Sequence, residues 1–599
     1  MPRTHALLIS AGLLLTIAGC QQPSNPVSQC TSDSITAISA IQGSAAVSPM
    51  LAQQVTVRGV VTASWQAQHE LGGFYLHSVA QDDDSNSLTS EGLFVATSAA
   101  APALAAGQTV LLSGEVAELQ QATALINVAV LKVCGEQPVP AATALQLPLA
   151  EASSFEALEN MPVIFAQTLV VTGHFPLSRH GQFQVAAQQQ FTATQISAPG
   201  PAAHQANQQA LRERITIDDN RAEKPAQIIY PNPVLSATNS LRTGDSVSGL
   251  VGILSEVNGN YQLQPLQPPR FVASNPRPQP PAAPAKQTLR IAAFNVLNYF
   301  NGNGAEKQFP TDRGAKSAAD FARQEAKIVA ALSALNADVI GLMEIENDGY
   351  DEHSAILQLT TALRQHSGQD WHFINAAQML DNGRFGSDSI TNGLLYRADR
   401  VKPHAEVFTS RQAPFGTRSR PPLVQQFQAL HNNELFAVAV NHFKSKGSCP
   451  RDGNRANADQ GDGQGCWNPV RVESAKLLAE LMQTAPLDTV SNTILLGDFN
   501  AYAMEDPITT LQQYGYHNRI DVFEPQGYSY VFNGLAGSLD HILVSTALHN
   551  RVVAQRHWSI NADEPTALQY DMHHINASWV DASPFRASDH DPLYVDLQF

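Results

Sequence analysis

Short runs of alternating apolar and polar residues dominate the first half of the chain and predict β-strands. Residues 55–63 (VTVRGVVTA) alternate in this way, and further apolar runs follow at residues 72–78, 91–97 and 107–119. Turn-forming residues bound each run, a spacing that is typical of a small β-barrel or β-sandwich. Residues 241–254 repeat the signature of the fourth run, so we predict a second β-rich module downstream.

The pattern changes after a proline-rich stretch, residues 271–286, which we interpret as an extended linker. Beyond this stretch, apolar runs alternate with segments of helical period. Phe321, Ile328 and Leu335, for example, fall on one helical face. This alternation predicts an α/β region over residues 287–599, and the linker predicts that the region folds independently.

The first twenty residues have the composition of a targeting segment. Residues 6–18 are small and apolar, a run of 13 that is too short for a bilayer, which takes about 20. Residues 17–20 (IAGC) then resemble a bacterial lipobox, in which the cysteine is acylated; an ordinary signal peptide is the alternative. Gln21 follows, where inner-membrane lipoproteins carry aspartate. We therefore expect a lipid on Cys20 that anchors the protein in the outer membrane, facing the periplasm or the cell surface, or a protein released to the medium.

Composition narrows the classes of function. Charged residues make up 15% of the 599 positions, hydrophobic residues 43%, and the net charge is −17. Because no block of lysine or arginine is present, a protein that coats DNA is disfavoured, and the ample apolar content excludes collagen-like and disordered chains. An acidic total does not exclude an enzyme that contacts phosphates through a bound metal.

Four cysteines remain when Cys20 is set aside, and an exported protein can form disulfides. Four cysteines allow three pairings. Proximity favours Cys30–Cys134 and Cys449–Cys466, one in each folded region. A structural zinc site is disfavoured because no CxxC spacing is present.

Polar residues of catalytic type lie at the ends of several predicted strands of the α/β region, within a later strand, and just before the last strand. In chain order these are Asn295, Glu344 in LMEIEN, His442 in NHF, Asp498 and Asn500 in GDFN, Asp540 in LDHIL, and Asp589 with His590 in SDHDP. One such residue alone is usually a cap or a surface group. The ordered set resembles the endonuclease/exonuclease/phosphatase superfamily. That resemblance implies a DNase-I-like fold, a four-layer α/β sandwich in which two β-sheets pack face to face between helices.

A narrower resemblance rests on the strings NHFKSKGSC, DQGDGQGCWNPVR and WSINADEPTALQYD, which look like ExeM/NucH-type bacterial extracellular nucleases. The β modules, residues 21–140 and 141–270, resemble the OB-fold-like region that precedes the catalytic domain in secreted bacterial nucleases. The expected architecture is therefore a C-terminal DNase-I-like α/β sandwich preceded by all-β OB-fold-like modules. Residues 1–20 are the expected lipoprotein signal peptide.

The resemblance also implies roles for the site residues. Glu344, with Asn295 and Asp589, is expected to hold Mg²⁺ or Mn²⁺, with Ca²⁺ as an alternative, because hard cations prefer oxygen ligands. The remaining set is implied to act in catalysis. Asp498 orients or deprotonates the attacking water, Asn500 hydrogen-bonds the phosphate or the nucleophile, His590 contacts the phosphate and is oriented by Asp540, and His442 is a candidate proton donor to the leaving 3′ oxygen.

Other polar residues have a functional and a structural interpretation. The acidic run 82–84, with Glu91, could bind Ca²⁺ or form a solvated loop. Asp388 could contact phosphate or metal, or cap a loop. The remaining residues of this kind, which we expect mainly on the surface, are Asp452, Asp459, Asp462, His573 and His574.

Three classes of function remain open at this point. The first is a sugar-nonspecific nuclease that hydrolyses extracellular DNA and, as a further candidate, RNA. The second keeps the fold but acts as a phosphomonoesterase, sphingomyelinase or inositol-phosphate phosphatase, since fold alone does not fix the substrate. The third is a nucleic-acid-binding surface or uptake protein. The intact catalytic set favours an enzyme, His442 and the GQGCW string favour the nuclease, and no obligate protein partner is indicated.

Overall fold

The computed structural model describes residues 30–32, 34–97, 101–149, 155–224, 227–451, 453–484, 486–571 and 579–599. Cys20, Asp452, His573 and His574 lie outside the described residues. No helix among the described residues is long and apolar enough to cross a membrane.

The first β module closes into a five-stranded barrel with the strand order β1-β2-β3-β5-β4. Its elements are α1 Ile38–Gln42, β1 Gln54–Trp65, β2 Gly73–His77, β3 Gly92–Ala96, β4 Gln108–Leu119 and β5 Ala122–Glu136. The inward positions of the alternating runs form its core, and Phe74 and Leu76 are fully buried there. The predicted Cys30–Cys134 disulfide joins the segment before α1 to β5. The OB-fold assignment of this barrel stays a prediction.

The second β module is a nine-stranded sheet and not a second closed barrel. Its elements are β6 Thr143–Leu145, β7 Pro162–Phe165, β8 Leu169–Gly173, α2 Leu177–His180, β9 Phe183–Ala186, α3 Ala193–Ile196, α4 Pro201–Arg212, β10 Arg214–Ile217, β11 Ser246–Ser248, β12 Leu250–Val257, β13 Asn260–Pro265 and β14 Arg270–Val272. The strand order is β14-β11-β8-β9-β10-β13-β12-β7-β6. The repeated stretch, residues 241–254, contains β11 and the first part of β12, so a similar strand pattern is built here into a different sheet.

The proline-rich stretch is anchored to the rest of the molecule. Its first residues belong to β14, which pairs with β11. Further along, the amide of Asn275 donates to the Asp563 carboxylate at 2.8 Å, and Arg277 Nη2 lies 2.7 Å from Glu564 Oε2. The segment therefore connects the second sheet to the α/β region through polar contacts along its length.

Two six-stranded sheets form the α/β region, with the orders β17-β18-β16-β15-β28-β27 and β19-β20-β21-β22-β26-β23. The strands are β15 Thr288–Tyr299, β16 Val339–Glu346, β17 Trp371–Phe373, β18 Ile390–Arg397, β19 Val401–Phe408, β20 Leu423–Ala429, β21 Leu435–His442, β22 Thr493–Asp498, β23 Tyr516–Asn518, β24 Tyr530–Phe532, β25 Leu535–Gly537, β26 Asp540–Ser545, β27 Val552–His557 and β28 Leu593–Gln598. Strands β24 and β25 form a separate hairpin.

Helices cover the outer faces of both sheets. The helices are α5 Ala318–Leu335, α6 Ala355–Ser367, α7 Asn468–Met482, α8 Asp506–Gln513 and α9 Ile520–Phe523. Short 3₁₀ helices lie at Glu156–Leu158, Ala377–Met379, Arg455–Asn457, Leu487–Thr489, His549–Arg551 and Thr566–Leu568. Helices α5 and α6 pack on the first sheet, and α7 and α8 on the second. Because a further apolar core lies between the sheets, the region is the four-layer sandwich that the sequence predicts.

The local sequence explains how these layers are fixed. The predicted apolar face of α5 is buried, and Ser317 caps the helix by accepting a hydrogen bond from the backbone N–H of Asp320 at 3.1 Å. Between the sheets, Val440 and Leu496 are fully buried. The second predicted disulfide, Cys449–Cys466, closes the loop that precedes α7.

Candidate functional site

The polar residues predicted to be catalytic meet at one edge between the two sheets. The side-chain amide of Asn295 contacts residues of both sheets. It lies 3.3 Å from Glu344 Oε1 in the first sheet and 3.3 Å from Asp498 Oδ2 in the second. Within the second sheet, His442 and Asp498 are register partners on parallel strands, and Asp498 faces Asp540 on the antiparallel neighbour. Strand pairing thus places residues that are far apart in sequence side by side.

Local backbone geometry positions two of these side chains. Glu344 has φ +67° at a point where the register of β16 shifts, and its carboxylate accepts a hydrogen bond from the backbone N–H of Asn298 at 3.0 Å. Such a bulge turns a strand side chain away from its regular direction. Gly497, just before Asp498, has φ +131°, and a Cβ there would lie 2.0 Å from the carbonyl oxygen of Asn441. The GDFN motif therefore requires glycine at its first position.

His590 and Asp540 form a hydrogen-bonded pair, the dyad. Nδ1 of His590 lies 2.7 Å from Asp540 Oδ2, and the hydroxyl of Ser529 donates to the same oxygen at 2.6 Å. Burial opposes the charged imidazole, but the charges of Asp540 and Asp589 outweigh it and hold the pKa of His590 well above its ordinary value. The dyad therefore presents a protonated imidazole to the site.

Asp498 lies beside the dyad, and the pKa of its carboxyl group is near neutrality, whereas the pKa of His590 is well above its ordinary value. Burial and the charge of Asp540 raise the pKa of Asp498 to about 7. Its Oδ1 accepts a hydrogen bond from the backbone N–H of Asn500 at 2.8 Å, which fixes the carboxylate. A carboxylate with a pKa near neutrality can exchange a proton with water during a reaction.

His442 and Asn500 support Asp498. His442 Nε2 lies 3.5 Å from Asp498 Oδ2, and burial, reinforced by the charge of Arg420, lowers the pKa of His442 well below its ordinary value. The imidazole is therefore neutral. The side-chain amide of Asn500 donates to the carbonyl oxygen of Phe443 at 3.2 Å, which holds it next to Asp498.

The cation-binding capacity of the site rests on Glu344 and Asp589. Burial and the charge of Asp589 raise the pKa of Glu344, so two carboxylates repel each other here. A hard divalent cation would relieve this repulsion through its preferred oxygen ligands, and these residues fit Mg²⁺ or Mn²⁺.

A second group of possible ligands is more compact. Asp498, Asp540 and His590 have ligand atoms within 4.8 Å of one another. Nδ1 of His590 already contacts Asp540 Oδ2, however, and that oxygen also accepts a hydrogen bond from the hydroxyl of Ser529, so both atoms have partners. We therefore assign these three residues to proton handling and keep Glu344, Asn295 and Asp589 as the candidate metal ligands.

Two further residues connect the parts of the site. The hydroxyl of Ser588 donates to the carbonyl oxygen of Asn295 at 2.6 Å and so ties the segment carrying His590 to the first sheet. Arg420 lies in the loop before β20, where its backbone N–H donates to the carbonyl oxygen of His442 at 3.1 Å. Ser588 is the first residue of the SDHDP string, but its contact with Asn295 joins distant segments, and Arg420 belongs to no recognisable string.

The residues with open interpretations are placed as follows. Asp388 forms ion pairs with Arg420 at 2.8 Å and with Arg313 at 3.6 Å, so its carboxylate neutralises arginines at the edge of the site. Asp459 and Asp462 accept hydrogen bonds from backbone N–H groups two residues ahead, as expected for turns of a surface loop. In the acidic run, Asp82 is bound by Arg58, whereas the remaining carboxylates, Asp83, Asp84 and Glu91, lie within 4.8 Å of one another.

Comparison with known proteins agrees with this geometry. Residues 292–590 match the Endonuclease/Exonuclease/phosphatase family. No curated protein matches the chain.

The chain is also similar to a number of solved structures. An endonuclease/exonuclease/phosphatase family protein of Bacteroides thetaiotaomicron is 17% identical, with 53% of this chain and 98% of that chain covered and a TM-score of 0.34. A mannosyl-6-phosphatase of the same species is 18% identical, covering 52% and 100%, with a TM-score of 0.34. D. rerio TDP2 complexed with a single-strand DNA product is 13% identical, covering 52% and 99%, with a TM-score of 0.32. The family match alone, over residues 292–590, identifies an endonuclease/exonuclease/phosphatase domain in this part of the chain.

Proposed function

We propose that the protein is a divalent-metal-dependent phosphodiesterase, a nuclease that hydrolyses extracellular DNA. The observation that carries this proposal is the hydrogen-bonded His590–Asp540 dyad beside Asp498, with the carboxylates of Glu344 and Asp589 next to it. Phosphodiester hydrolysis needs an activated water and a stabilised phosphate charge, and these groups can supply both.

The residues divide the reaction between them in this proposal. Asp498, whose pKa is raised to about 7, accepts the proton of the attacking water. His590 donates a hydrogen bond to the phosphate and delivers a proton to the leaving oxygen, because Asp540 keeps its imidazole charged. The neutral His442 orients Asp498, in place of the proton-donor role implied by the resemblance. A cation bound at Glu344 would polarise the phosphate.

A positively charged cavity favours a nucleic acid over a small phosphomonoester. It measures about 380 Å³ beside the site and is lined by three arginines, Arg384, Arg418 and Arg420, against one carboxylate, that of Asp388, which pairs with Arg420. Lys444 lies near these arginines, with its Nζ 5.4 Å from the centre of the Trp467 ring that Arg418 also covers. Several cations in a row match a substrate with several phosphates. The second candidate, a phosphomonoesterase, uses the same catalytic groups but not this cavity.

A metal-depletion experiment on the full chain tests the proposal. We expect supercoiled plasmid to be cleaved in Mg²⁺ or Mn²⁺ and left intact in EDTA, with cleavage restored by added metal. RNA and a simple phosphomonoester serve as parallel substrates. Faster turnover of the monoester than of DNA would favour the second candidate, and binding of DNA without cleavage under any metal would favour a binding protein.

Glu344→Gln tests the assignment of the metal ligands. Because glutamine lacks the charge that attracts a cation, we expect the Mn²⁺ concentration for half-maximal activity to rise by about 10–100-fold, with partial rescue at high metal. The control is Glu352→Gln, whose side chain is 84% exposed. An unchanged metal titration in Glu344→Gln would place the cation elsewhere.

We also propose that the enzyme is exported and anchored by a lipid on Cys20. Support comes from the lipobox-like residues 17–20 and from the two disulfides, which persist in oxidising compartments. Acyl chains anchor through about 0.8 kcal/mol per buried methylene. We expect Cys20→Ser to leave the outer-membrane fraction or to remain unprocessed, as judged by fractionation and mass spectrometry; unchanged fractionation and mass would refute the anchor.

A further inference from the structure

A cleft of about 600 Å³ lies between the barrel and the nine-stranded sheet. None of its lining residues takes part in the proposed hydrolysis. Tyr75 and Phe94 of the barrel form part of one wall, and Asp218 and Gln264 of the sheet form part of the other. Small-molecule sites in proteins have volumes of roughly 300–1,000 Å³. The cleft is therefore large enough for an organic ligand and much larger than a single metal ion requires.

Residues that line this cleft carry buried oxygen acceptors without a partner in the described part of the chain. Asp218 Oδ1, Gln264 Oε1 and Asn160 Oδ1 are buried and accept no hydrogen bond from any described residue, and the same holds for Glu118 Oε2. The orientation of both amides is fixed, because Gln264 Nε2 donates to Asp218 Oδ2 at 2.8 Å and Asn160 Nδ2 donates to the carbonyl oxygen of Thr123 at 3.1 Å. Buried polar atoms in proteins are nearly always satisfied. All of these vacant groups are acceptors, so a matching ligand must be rich in N–H or O–H donors.

The charge of the cleft selects a cation among such donors. Glu118, Asp218 and Glu256 line it. Burial and the charges of Glu156 and Glu118 raise the pKa of Glu256 to about 7, so these carboxylates repel one another. Two cations, Arg221 and Lys224, also line the cleft and reduce its negative charge. Neither forms an ion pair with these carboxylates within the described ranges.

Aromatic rings add a second feature that suits an organic cation. The ring centres of Tyr75 and Phe94 are 4.9 Å apart, and Trp65 packs edge-on against Tyr75 at 5.8 Å. Aromatic faces attract ammonium groups through their quadrupole. The same acidic wall would repel the phosphates of a nucleic acid, so base stacking on this side of the barrel is disfavoured.

We propose that the cleft between the barrel and the nine-stranded sheet binds an organic amine with more than one ammonium group, of the polyamine class. Ammonium N–H groups satisfy the vacant oxygens of Asp218, Gln264 and Asn160, and the carboxylate of Glu256 balances the ligand's charge. The methylene segments of such a ligand pack on Phe94. Bound in this place, the amine bridges the two β modules.

Calorimetric titration of the full chain with spermidine tests this proposal. We expect a single saturable site, and we expect Glu256→Gln to weaken the affinity by about tenfold, the size of one charge-assisted hydrogen bond. Phe94→Leu keeps an apolar side chain but removes the ring, and should weaken binding in the same direction. Glu115→Gln is the matched control, since Glu115 accepts a hydrogen bond from Asn127 and does not line the cleft.

The alternatives have distinct outcomes. Weak, unsaturable heat that is equal in Glu256→Gln and in Glu115→Gln would show only general attraction to an acidic protein and would overturn the proposal. Saturable binding of Ca²⁺ or of a neutral disaccharide, with none of spermidine, would assign the cleft to another ligand class and would overturn it too. Thermal unfolding of each variant shows whether a lost affinity reflects a lost fold.

Discussion

Asp498→Asn is expected to lower the rate of DNA cleavage by about 10²–10⁴-fold, the usual contribution of a single acid–base group. An asparagine at this position cannot accept the proton of the attacking water. The substitution keeps the shape of the side chain, and its amide oxygen can still accept the hydrogen bond from the backbone N–H of Asn500. The loss should therefore appear in kcat more than in KM.

The free energy of unfolding of Asp498→Asn should stay the same or increase, although its activity falls. Asp498 and Asp540 face each other on neighbouring strands, and the charge of Asp540 helps to raise the pKa of Asp498. Neutralising one of two repelling, buried carboxylates should leave the melting temperature unchanged or higher, as is common where activity requires an unfavourable arrangement. A catalytic loss with unimpaired stability would distinguish a catalytic role from a structural one.

Two companions complete this experiment. His590→Gln should lose activity to a similar degree, because glutamine carries no proton that it can deliver. Asp399→Asn is the control, since Asp399 forms an exposed ion pair with Arg397. If Asp498→Asn retained as much activity as Asp399→Asn at saturating metal, Asp498 would have no part in the chemistry.

The α/β sandwich and the candidate site were accessible from the sequence for a physical reason. The catalytic residues lie at or near strand ends: His442 and Asp498 end two paired strands, Asp540 begins the strand beside them, and pairing in register brings these positions together. The order of Glu344, His442, Asp498 and His590 along the chain therefore indicates which side chains come together at the site. Arg420 could not be found in this way, because it lies in an irregular loop and acts on the site through the backbone of His442 and through its charge.

The shape of the second module was not accessible. Alternation of apolar and polar residues shows that a segment is a strand and which face is buried, but it does not specify which strands pair. The barrel and the nine-stranded sheet share such a pattern at residues 107–119 and 241–254 and differ in closure. The second module also contacts the string WSINADEPTALQYD, whose resemblance to a known family is visible in the sequence. Its partners Arg242 and Arg277 lie far away in sequence and carry no motif, so the sequence does not show this contact.

A protein consisting of residues 287–599 is expected to lose most of its activity, although the proline-rich linker predicts an independent domain. Asp563 and Glu564 are almost fully buried, and both contact Arg242, Asp563 Oδ2 at 3.0 Å from its Nη2. Leu568 is buried in the core of the second module. Removal of that module exposes this apolar surface and removes the cations that hold the segment around residue 563 in place.

The loss should reach the active site through one short path. The side-chain amide of Asn561, in the same segment, donates to the carbonyl oxygen of His590, and its backbone N–H donates to Asp591 Oδ1, each at 2.6 Å. The hairpin that carries Tyr530, whose ring centre is 4.6 Å from that of His590, is bonded through Ala536 to backbone groups of residues 190 and 192. Both supports of the dyad therefore depend on the second module.

A matched pair of truncations measures this dependence. A chain that begins at residue 141 keeps the nine-stranded sheet and should retain cleavage of both plasmid and a small phosphodiester. A chain that begins at residue 287 should aggregate or unfold at a lower temperature, and its kcat on the small diester should fall by about the 10²–10⁴-fold of a displaced acid–base group. If the shorter chain were monomeric, melted cooperatively and hydrolysed the small diester at the full rate, the contacts of Arg242 would be dispensable and residues 287–599 would be an autonomous enzyme.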